Sequence, residues 1–204
     1  MSLQPFTLVT GKAAPMLAAN IDTDVIMPKQ FLKGIDRDGL DRGLFFDLRF
    51  LPSGAPNLEF VLNQPAWQGA NFMVVGPNFG CGSSREHAVW GLKQMGIRAL
   101  IGSSFAGIFH DNCQRNGLLL ITLEQAVLHR LAQTISQADQ AQISIDLEAQ
   151  QIRLADGQLI PFQIDTLRKT ALLFGLDAIG STLQRSEQIK AFERQHLTTK
   201  PWLG

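Results

Sequence analysis

The residues best suited to chemistry lie together between positions 78 and 88. Gly80-Cys81-Gly82 is followed directly by Ser83-Ser84-Arg85 and then by Glu86-His87. The apolar run 72–75 before them predicts a strand, and apolar residues at helical spacing after them predict a helix. A helix start exposes unpaired N–H groups and the positive end of a dipole, and both favour an anion. The sequence therefore predicts an anion-binding turn between a strand and a helix.

A structural explanation of the same residues stays open beside the chemical one. Ser83 and Glu86 fit a capping box, with Ser83 at the N-cap and Glu86 three residues later. A capping box does not explain Arg85, because the helix dipole disfavours a cation there by a few tenths of a kcal/mol. An arginine fork grips a carboxylate or phosphate at two points. We therefore expect an anion beside Arg85.

The histidine and the cysteines of this region allow more than one interpretation. His87 could act as a base or ligand, or it could be a half-buried helix residue bonded to a neighbouring loop. Cys81 could be a nucleophile, because helix starts lower the pKa of a thiol, but no histidine pattern of a known cysteine enzyme accompanies it. Cys113 lies on an apolar face of a predicted helix, and we expect it in the core.

A second polar motif lies earlier in the chain, where Asp22 and Asp24 flank Thr23. The two carboxylates could hold a metal, although a single D-x-D is common. They could equally hold the backbone amides of their own loop. Further on, Arg37, Arg42 and Arg49 either lie near the site or are ordinary solvated charges, and sequence spacing does not decide between these.

Composition limits the classes of protein that fit the chain. It has 204 residues, of which 45% are hydrophobic, and 18 basic residues balance 18 acidic ones. Such a chain can bury a sizeable core, and its charge balance gives no reason to expect nucleic acid or a membrane surface as partner. No apolar run reaches the roughly 18 residues of a membrane span, and we expect no secretion signal.

The two cysteines bear on compartment and cofactor. They form no C-x-x-C pair and no disulfide framework, which is typical of a protein from the reducing cytoplasm. Two thiols are also too few to supply the ligands that usually hold an iron–sulfur cluster.

Hydrophobic periodicity predicts an α/β fold in a single domain over residues 1–204. Helical patterns alternate with short apolar runs, which predicts parallel strands between residues 72 and 123. Asp156-Gly157 predicts a hairpin turn, and from Asp165 onward the pattern predicts a helical extension broken around Gly175 and Gly180. The predicted strands are 72–75, 99–102, 118–123, 142–147, 151–154 and 159–164. The first predicted helix follows residue 85, the second follows the capping pair Ser103-Ser104, and the third begins at Glu124.

The first 70 residues give weaker patterns. We predict a short strand over 6–10 that ends at Gly11, with an interruption at Ala14-Pro15-Met16. A loop over 20–24 is predicted to run into a short strand before Pro28. Beyond it we predict a brief amphipathic helix, marked by apolar residues between positions 40 and 48 and ending near residues 50–52, and a helical turn over 58–62.

The motifs together resemble a known family. Residues 20–26, the run 78–88 with its G-S-S-R-E-H-A string, and the segment from Ser104 to Leu119 look like those of the small subunit of 3-isopropylmalate dehydratase. The resemblance covers most of the chain. It implies a swivelling β/β/α domain of the aconitase C-terminal type, with mixed sheets and flanking helices. It also implies a cytoplasmic hydro-lyase of leucine biosynthesis that interconverts 2- and 3-isopropylmalate by dehydration and rehydration.

The resemblance implies a partner and roles for residues. A large subunit would carry the [4Fe–4S] cluster, no metal would bind this chain, and the two subunits would form a heterodimer that binds a dicarboxylate. Ser83 would be the catalytic base, its alkoxide stabilised by helix-start amides, the N–H of Gly82 and the charge of Arg85. The remaining implied site residues are Ser84, Arg85, Gly82, Lys33 and Arg37 for substrate binding, and Asp22, Thr23, Asp24 and His87 for the shape of the site.

The segment after the D-T-D motif is where this family tunes its substrate preference. Phe31, Leu32 and Ile35 could accommodate an isopropyl group, while Lys33 and Arg37 either meet a carboxylate or belong to the plain surface. We predict that residues 30–38 are mobile in the isolated chain. Two alternatives stay open: a related hydro-lyase subunit acting on homoaconitate, citraconate or 2-methylmalate, and a non-catalytic anion-binding module.

Overall fold

A computed structural model describes residues 3–32, 38–83 and 85–203 of the chain. In this part of the chain seven strands form one mixed sheet, with helices on both faces. The strands are β1 (Leu8–Met16), β2 (Phe72–Val75), β3 (Ala99–Gly102), β4 (Leu119–Thr122), β5 (Gln142–Asp146), β6 (Gln151–Arg153) and β7 (Leu159–Pro161). The α-helices are α1 (Thr23–Ile26), α2 (Phe46–Arg49), α3 (Glu86–Gln94), α4 (Gly107–Arg115), α5 (Gln125–Ile135), α6 (Thr166–Phe174), α7 (Ala178–Leu183) and α8 (Ser186–Thr199). Short 3-10 helices occur at Lys29–Leu32, Leu40–Arg42, Val61–Asn63, Ala138–Gln140 and Pro201–Leu203.

Strand β1 joins a parallel half of the sheet to an antiparallel half, in the order β4-β3-β2-β1-β5-β6-β7. Its residues 13–16 pair in parallel with β2, and β3 and β4 continue in the same direction. Its residues 8–12 pair with β5, from which β6 and β7 continue as antiparallel hairpins. The predicted parallel strands and the predicted hairpin are both confirmed.

The alternation of side chains along the parallel strands divides the apolar residues between two cores. In β2, Phe72 and Val74 belong to one core, and Met73 and Val75 belong to the other. Helices α5 and α6 cover the first face, and helices α1, α3 and α4 cover the second. Every residue of β2 and β3 is buried, as is usual for parallel strands packed on both sides.

The antiparallel half of the sheet buries only one face. Ile145 and Ile152 lie in the first core, whereas the opposite face is exposed and mainly polar, with Leu8 and Leu159 as its exposed apolar residues. There the hydroxyls of Thr10 and Ser144 lie 2.7 Å apart.

Strand β1 is longer than predicted, because it runs through both residues that predicted a break. Gly11 is required in the strand because any side chain there would overlap that of Asn71. Pro15 pairs with Val74, beyond Lys12, where the pairing of β1 with β5 ends. The missing N–H of Pro15 can therefore face a flank without a strand partner in the described part of the sheet.

The strand predicted before Pro28 is wrong, since residues 23–26 form helix α1. The carboxylate of Asp22 accepts a hydrogen bond from the N–H of Val25 at 2.7 Å. This cap satisfies the helix start, and it outweighs the strand preference of the β-branched pair Val25-Ile26. The single helix predicted over 40–48 is also divided, because Phe45 adopts a left-handed conformation with φ of 50°.

The helical extension is present, with one break displaced. Gly175 ends α6 with φ of 63°, as predicted, but Gly180 lies inside α7 and the next break falls at residues 184–185. Helices α7 and α8 contain no buried residue. Among the described residues, no helix is long and apolar enough to cross a membrane.

Candidate active site

The candidate site is built from loops that leave one edge of the parallel sheet. The segments after β1, β2 and β3 all begin at the carboxyl ends of neighbouring parallel strands, where α/β folds usually bind ligands. Isolated bridges join Asp22 to Cys81 and Phe79 to Phe105. Ser104 does not cap α4 as predicted, because its hydroxyl accepts a hydrogen bond from the N–H of Asn78 at 2.9 Å while Ala106 occupies the N-cap.

Thr23 fastens the D-T-D motif to the glycine turn. Its N–H donates to the carbonyl of Cys81 at 2.9 Å, and its hydroxyl donates to the carbonyl of Ser83 at 2.8 Å. The residue is 1% exposed, so both bonds are shielded from water. Asp22 is committed to capping α1, which is one of the two alternatives that the sequence left open for this motif.

The two glycines of the turn adopt backbone conformations that other residues rarely reach. Gly80 has φ of 78° and Gly82 has φ of 88°. A Cβ at Gly80 would also overlap the ring of Phe109 in α4. The turn can therefore lie directly on α4 only because residue 80 has no side chain.

The capping box, the structural alternative that the sequence left open for α3, is not formed. The helix begins at Glu86, and Arg85 occupies the N-cap in an extended conformation without a side-chain cap from the described residues. Ser83 lies two residues further from the helix, where Thr23 holds its carbonyl and its side chain is exposed. Glu86 does not reach back to Ser83 because its Oε1 accepts a hydrogen bond from Asn116 at 2.7 Å.

Arg85 has a carboxylate of this chain beside it, and the bound anion expected there stays a prediction. Its Nε lies 3.6 Å from Oδ1 of Asp24, and Nζ of Lys29 lies 3.5 Å from the other oxygen of that carboxylate. The side chains of Arg85 and Asp24 are 28% and 39% exposed. At this separation and exposure an ion pair contributes at most about 1 kcal/mol, so the guanidinium can exchange one carboxylate for another at small cost.

The structure separates the other candidates. The ring of His87 lies 4.7 Å from that of Trp90 and is half-buried in helix α3. Cys113 is buried, as predicted, and burial raises the pKa of its thiol well above the usual value. Cys81 is half-buried and is a free thiol. Three predicted site residues, Ser84, Lys33 and Arg37, lie outside the described residues, as does most of the segment predicted to be mobile.

Arg49 holds a loop together. Its Nη1 donates to the carbonyls of Asp41 at 2.7 Å and Leu44 at 3.2 Å, and burial lowers the pKa of the guanidinium.

Phe31, proposed to meet the substrate, packs its ring 5.0 Å from that of Phe46. Within the described residues, no group of three or more His, Cys, Asp or Glu side chains could hold a metal ion.

Two contacts of the site could not be found from the sequence. The Thr23 hydroxyl bond spans 60 residues and the Asn116–Glu86 bond spans 30. Asn116-Gly117 is recognisable in the sequence as a helix end, but nothing in its spacing shows where the amide side chain points.

The fold and its loops define a member of the aconitase superfamily: residues 3–126 match the family model of the aconitase C-terminal domain. Residues 129–166 match the model described as LeuD_N, and residues 179–204 match the model of the C-terminal domain of the 3-isopropylmalate dehydratase small subunit. The chain belongs to the family of 3-isopropylmalate dehydratase small subunits. The predicted fold class and the predicted family are thereby confirmed.

Relatives match over nearly their whole length. The chain is 61% identical to 3-isopropylmalate dehydratase small subunit 1 of Mannheimia succiniciproducens, covering 98% of this chain and 99% of the relative. It is 57% identical to small subunit 2 of Salmonella typhimurium, covering 98% and 96%. The crystal structure of 3-isopropylmalate dehydratase from Methanocaldococcus jannaschii superposes with a TM-score of 0.65 at 26% identity, covering 92% of this chain and 99% of that one.

Proposed function

We propose that the chain is the small subunit of a 3-isopropylmalate dehydratase, which interconverts 2- and 3-isopropylmalate by dehydration and rehydration in leucine biosynthesis. The observation that carries the proposal is identity of 61% over 98% of the chain to a small subunit of that enzyme. The proposed compartment is the reducing cytoplasm, which suits two free cysteines.

The proposal includes a large subunit that carries the iron–sulfur cluster. The residues of this chain do not fit such a cluster, since it has two cysteines and one of them is buried in the core. The site loops instead end at an open edge of the sheet, with the side chain of Ser83 exposed. A partner that covers this edge would complete the site and exclude water from it.

Ser83 is the proposed base that removes a proton from the substrate carbon. A serine hydroxyl is a very weak base near neutral pH, so its alkoxide must be strongly stabilised. The N–H of Gly82 and the guanidinium of Arg85 are the nearby groups of this chain that could do so, and closure by the partner would strengthen both interactions by lowering the local dielectric.

Arg85 and the adjacent Ser84 are the proposed carboxylate-binding residues. Because the contact of Arg85 with Asp24 is loose and partly exposed, a substrate carboxylate could replace it. Asp24 would then keep Lys29 as its counter-ion. Lys33 or Arg37 is proposed to meet a carboxylate, and Asp22, Thr23, Asp24 and His87 are proposed to shape the site.

The first test is reconstitution with an iron–sulfur large subunit, with turnover of 3-isopropylmalate as the readout. The chain alone should be inactive and the pair active. Ser83→Ala should lower kcat by at least about a thousandfold while the pair still assembles, because the proposed base is removed. Ser53→Ala, at an exposed loop serine, is the matched control and should leave kcat unchanged. A Ser83→Ala pair that keeps most of its rate would exclude the serine as base.

A second test concerns the arginine. Arg85→Lys should raise KM for 3-isopropylmalate by about tenfold or more, since an ammonium cannot reproduce a two-point grip. Arg42→Lys, in the 3-10 helix over 40–42, is the control and should leave KM unchanged. An unaltered KM in Arg85→Lys would remove Arg85 from the substrate site.

Alternative substrates are separated by the same reconstituted pair. Homoaconitate, citraconate and 2-methylmalate should be turned over more slowly than 3-isopropylmalate. A higher kcat/KM on one of these would reassign the substrate within the hydro-lyases. Tight binding of phosphate or a nucleotide by the chain alone, together with an inactive pair, would favour the anion-binding module.

A further inference from the structure

Asn116, which follows the last residue of α4, contacts α3 from its first turn to its last through several bonds. Its Nδ2 donates to Oε1 of Glu86 at 2.7 Å and to the carbonyl of Asn112 at 2.9 Å. Its Oδ1 accepts from the indole N–H of Trp90 at 2.9 Å, and its carbonyl accepts from the ammonium of Lys93. One residue thus receives contacts from three side chains of α3.

The three α3 residues are spaced so that they share one face of the helix. Glu86, Trp90 and Lys93 follow one another at intervals of four and three residues, which places them in a single row. Contacts at both ends of such a row fix the rotation of the helix and its position along its axis. Lys93 is partly buried. Burial lowers its pKa most, and the positive charge of Arg98 lowers it further. It therefore loses solvation to make this contact, at the negative end of the α4 dipole.

These contacts bear directly on the candidate site. Glu86 is the first residue of α3, and Arg85 immediately precedes it at the N-cap. On the other side of the turn, the hydroxyl of Thr23 holds the carbonyl of Ser83. Ser83 is therefore held by Thr23, and Arg85 is held through its neighbour Glu86 by Asn116.

We propose that Asn116 is a positioning residue of the dehydratase site: its amide orients Glu86 and thereby sets the direction of Arg85. The inference rests on the proposed function for its kinetic consequence but not for its geometric one. Asn116 would touch no substrate, and its effect would be on the alignment of the groups that do.

The polarity of the Asn116–Glu86 bond provides a sharp test. Asn116→Asp keeps the shape of the side chain but places a carboxylate against the carboxylate of Glu86, so the bond is lost and the two groups repel. Glu86→Gln added to that variant restores a donor, because the new amide donates to the new carboxylate. Glu86→Gln alone keeps an acceptor for Asn116 and should be nearly neutral.

The kinetic experiment uses the reconstituted pair with the large subunit and the substrate both at saturating concentration. Asn116→Asp should lower kcat by about tenfold or more, since small misplacements of catalytic groups are costly, while the Kd for the large subunit stays within about threefold of the wild-type value. The double variant should recover part of the lost kcat, but not all of it, because the bond to the carbonyl of Asn112 stays broken. Asn63→Asp is the matched control, because its amide donates to the carbonyls of Arg49 and Asn57, and it should lower stability without lowering kcat.

A readout on the full chain alone separates this inference from the proposed function. The Nε–H resonance of Arg85, assigned by its loss in Arg85→Lys, should shift in Asn116→Asp and return in the double variant. An unmoved resonance, or a kcat within twofold of wild type in Asn116→Asp, would overturn the positioning role, as would a double variant without rescue. A wild-type pair inactive on 3-isopropylmalate would overturn the proposed substrate, and the resonance would still decide the role of Asn116.

Discussion

Gly80 illustrates how one residue without a side chain shapes the candidate site. Its φ of 78° lies in the left-handed region, and a Cβ there would overlap the ring of Phe109. Both the backbone conformation and the close approach therefore require glycine. The glycine turn rests on α4 at this point, so the position of Ser83 depends on it.

Gly80→Ala should lower the free energy of unfolding by about 2–5 kcal/mol, from the cost of a left-handed alanine together with overpacking against Phe109. Gly54→Ala is the control, since Gly54 has φ of 83° and nothing lies within 4 Å of the added Cβ. It should cost only about 1–2 kcal/mol. Urea unfolding of both variants measures the difference, and equal losses would show that Phe109 moves away freely.

At the residue scale the sequence predicted the local backbone but not the distant contacts. The glycine turn between a strand and a helix follows from the local pattern. The capping box failed because Asn116 takes Glu86 and Thr23 takes the carbonyl of Ser83. Both competitors come from other parts of the chain, and no local pattern reveals which of two possible partners is closer in the fold.

Among the elements, the buried parallel strands were the most predictable. β2 and β3 have the predicted bounds because each is a short apolar run buried on both faces. β1 and α1 were not predictable in the same way. Pro15 and Gly11 are tolerated in β1 only because of its neighbours, and α1 forms because Asp22 caps it.

Helix α8 buries little surface against the rest of the described molecule. None of its residues is buried, and Phe192 is 67% exposed. Removal of residues 186–204 should therefore change the melting temperature by less than about 4 °C, because little apolar surface is lost from the cores. Thermal unfolding of the truncated chain, followed by circular dichroism, measures this.

A longer truncation serves as the control for that prediction. Removal of residues 166–204 also deletes α6, whose Leu172 is buried and accepts a backbone bond from Phe6 at 2.9 Å. It would expose part of the first core and should lower the melting temperature by roughly 10 °C or more. If removal of residues 186–204 alone lowered the melting temperature as much as the longer truncation does, α8 would stabilise the fold after all.

The molecule as a whole has a balanced charge, with 18 basic and 18 acidic residues. A buried thiol in its core should make its stability depend on alkaline pH. The core thiol of Cys113 keeps its proton because burial raises its pKa. Above the ordinary thiol pKa of about 8.5 the unfolded chain loses that proton while the folded chain does not. The contribution of this thiol to stability is therefore fully present below this pH and falls above it, by up to ~1.4 kcal/mol per pH unit.

Unfolding free energies at pH 7.5, 8.5 and 9.5 measure this slope in a Cys81→Ser background, where Cys113 is the single thiol. Adding Cys113→Ala should lower stability at neutral pH by leaving a cavity, but it should remove the thiol's contribution to the slope. The two chains should therefore approach each other in stability as pH rises. A constant difference between them would contradict the raised pKa.

Strand β1 also governs when the sheet can form during synthesis. Its residues 13–16 pair with 72–75, and its residues 8–12 pair with 142–146. The ribosome adds about 5–20 residues per second, so β1 leaves it roughly ten seconds before β5 does. During that interval one half of an early strand has no partner to receive its N–H and C=O groups. Residues 8–12 therefore cannot pair with β5 until nearly three quarters of the chain has been made, and the antiparallel half of the sheet can form only then.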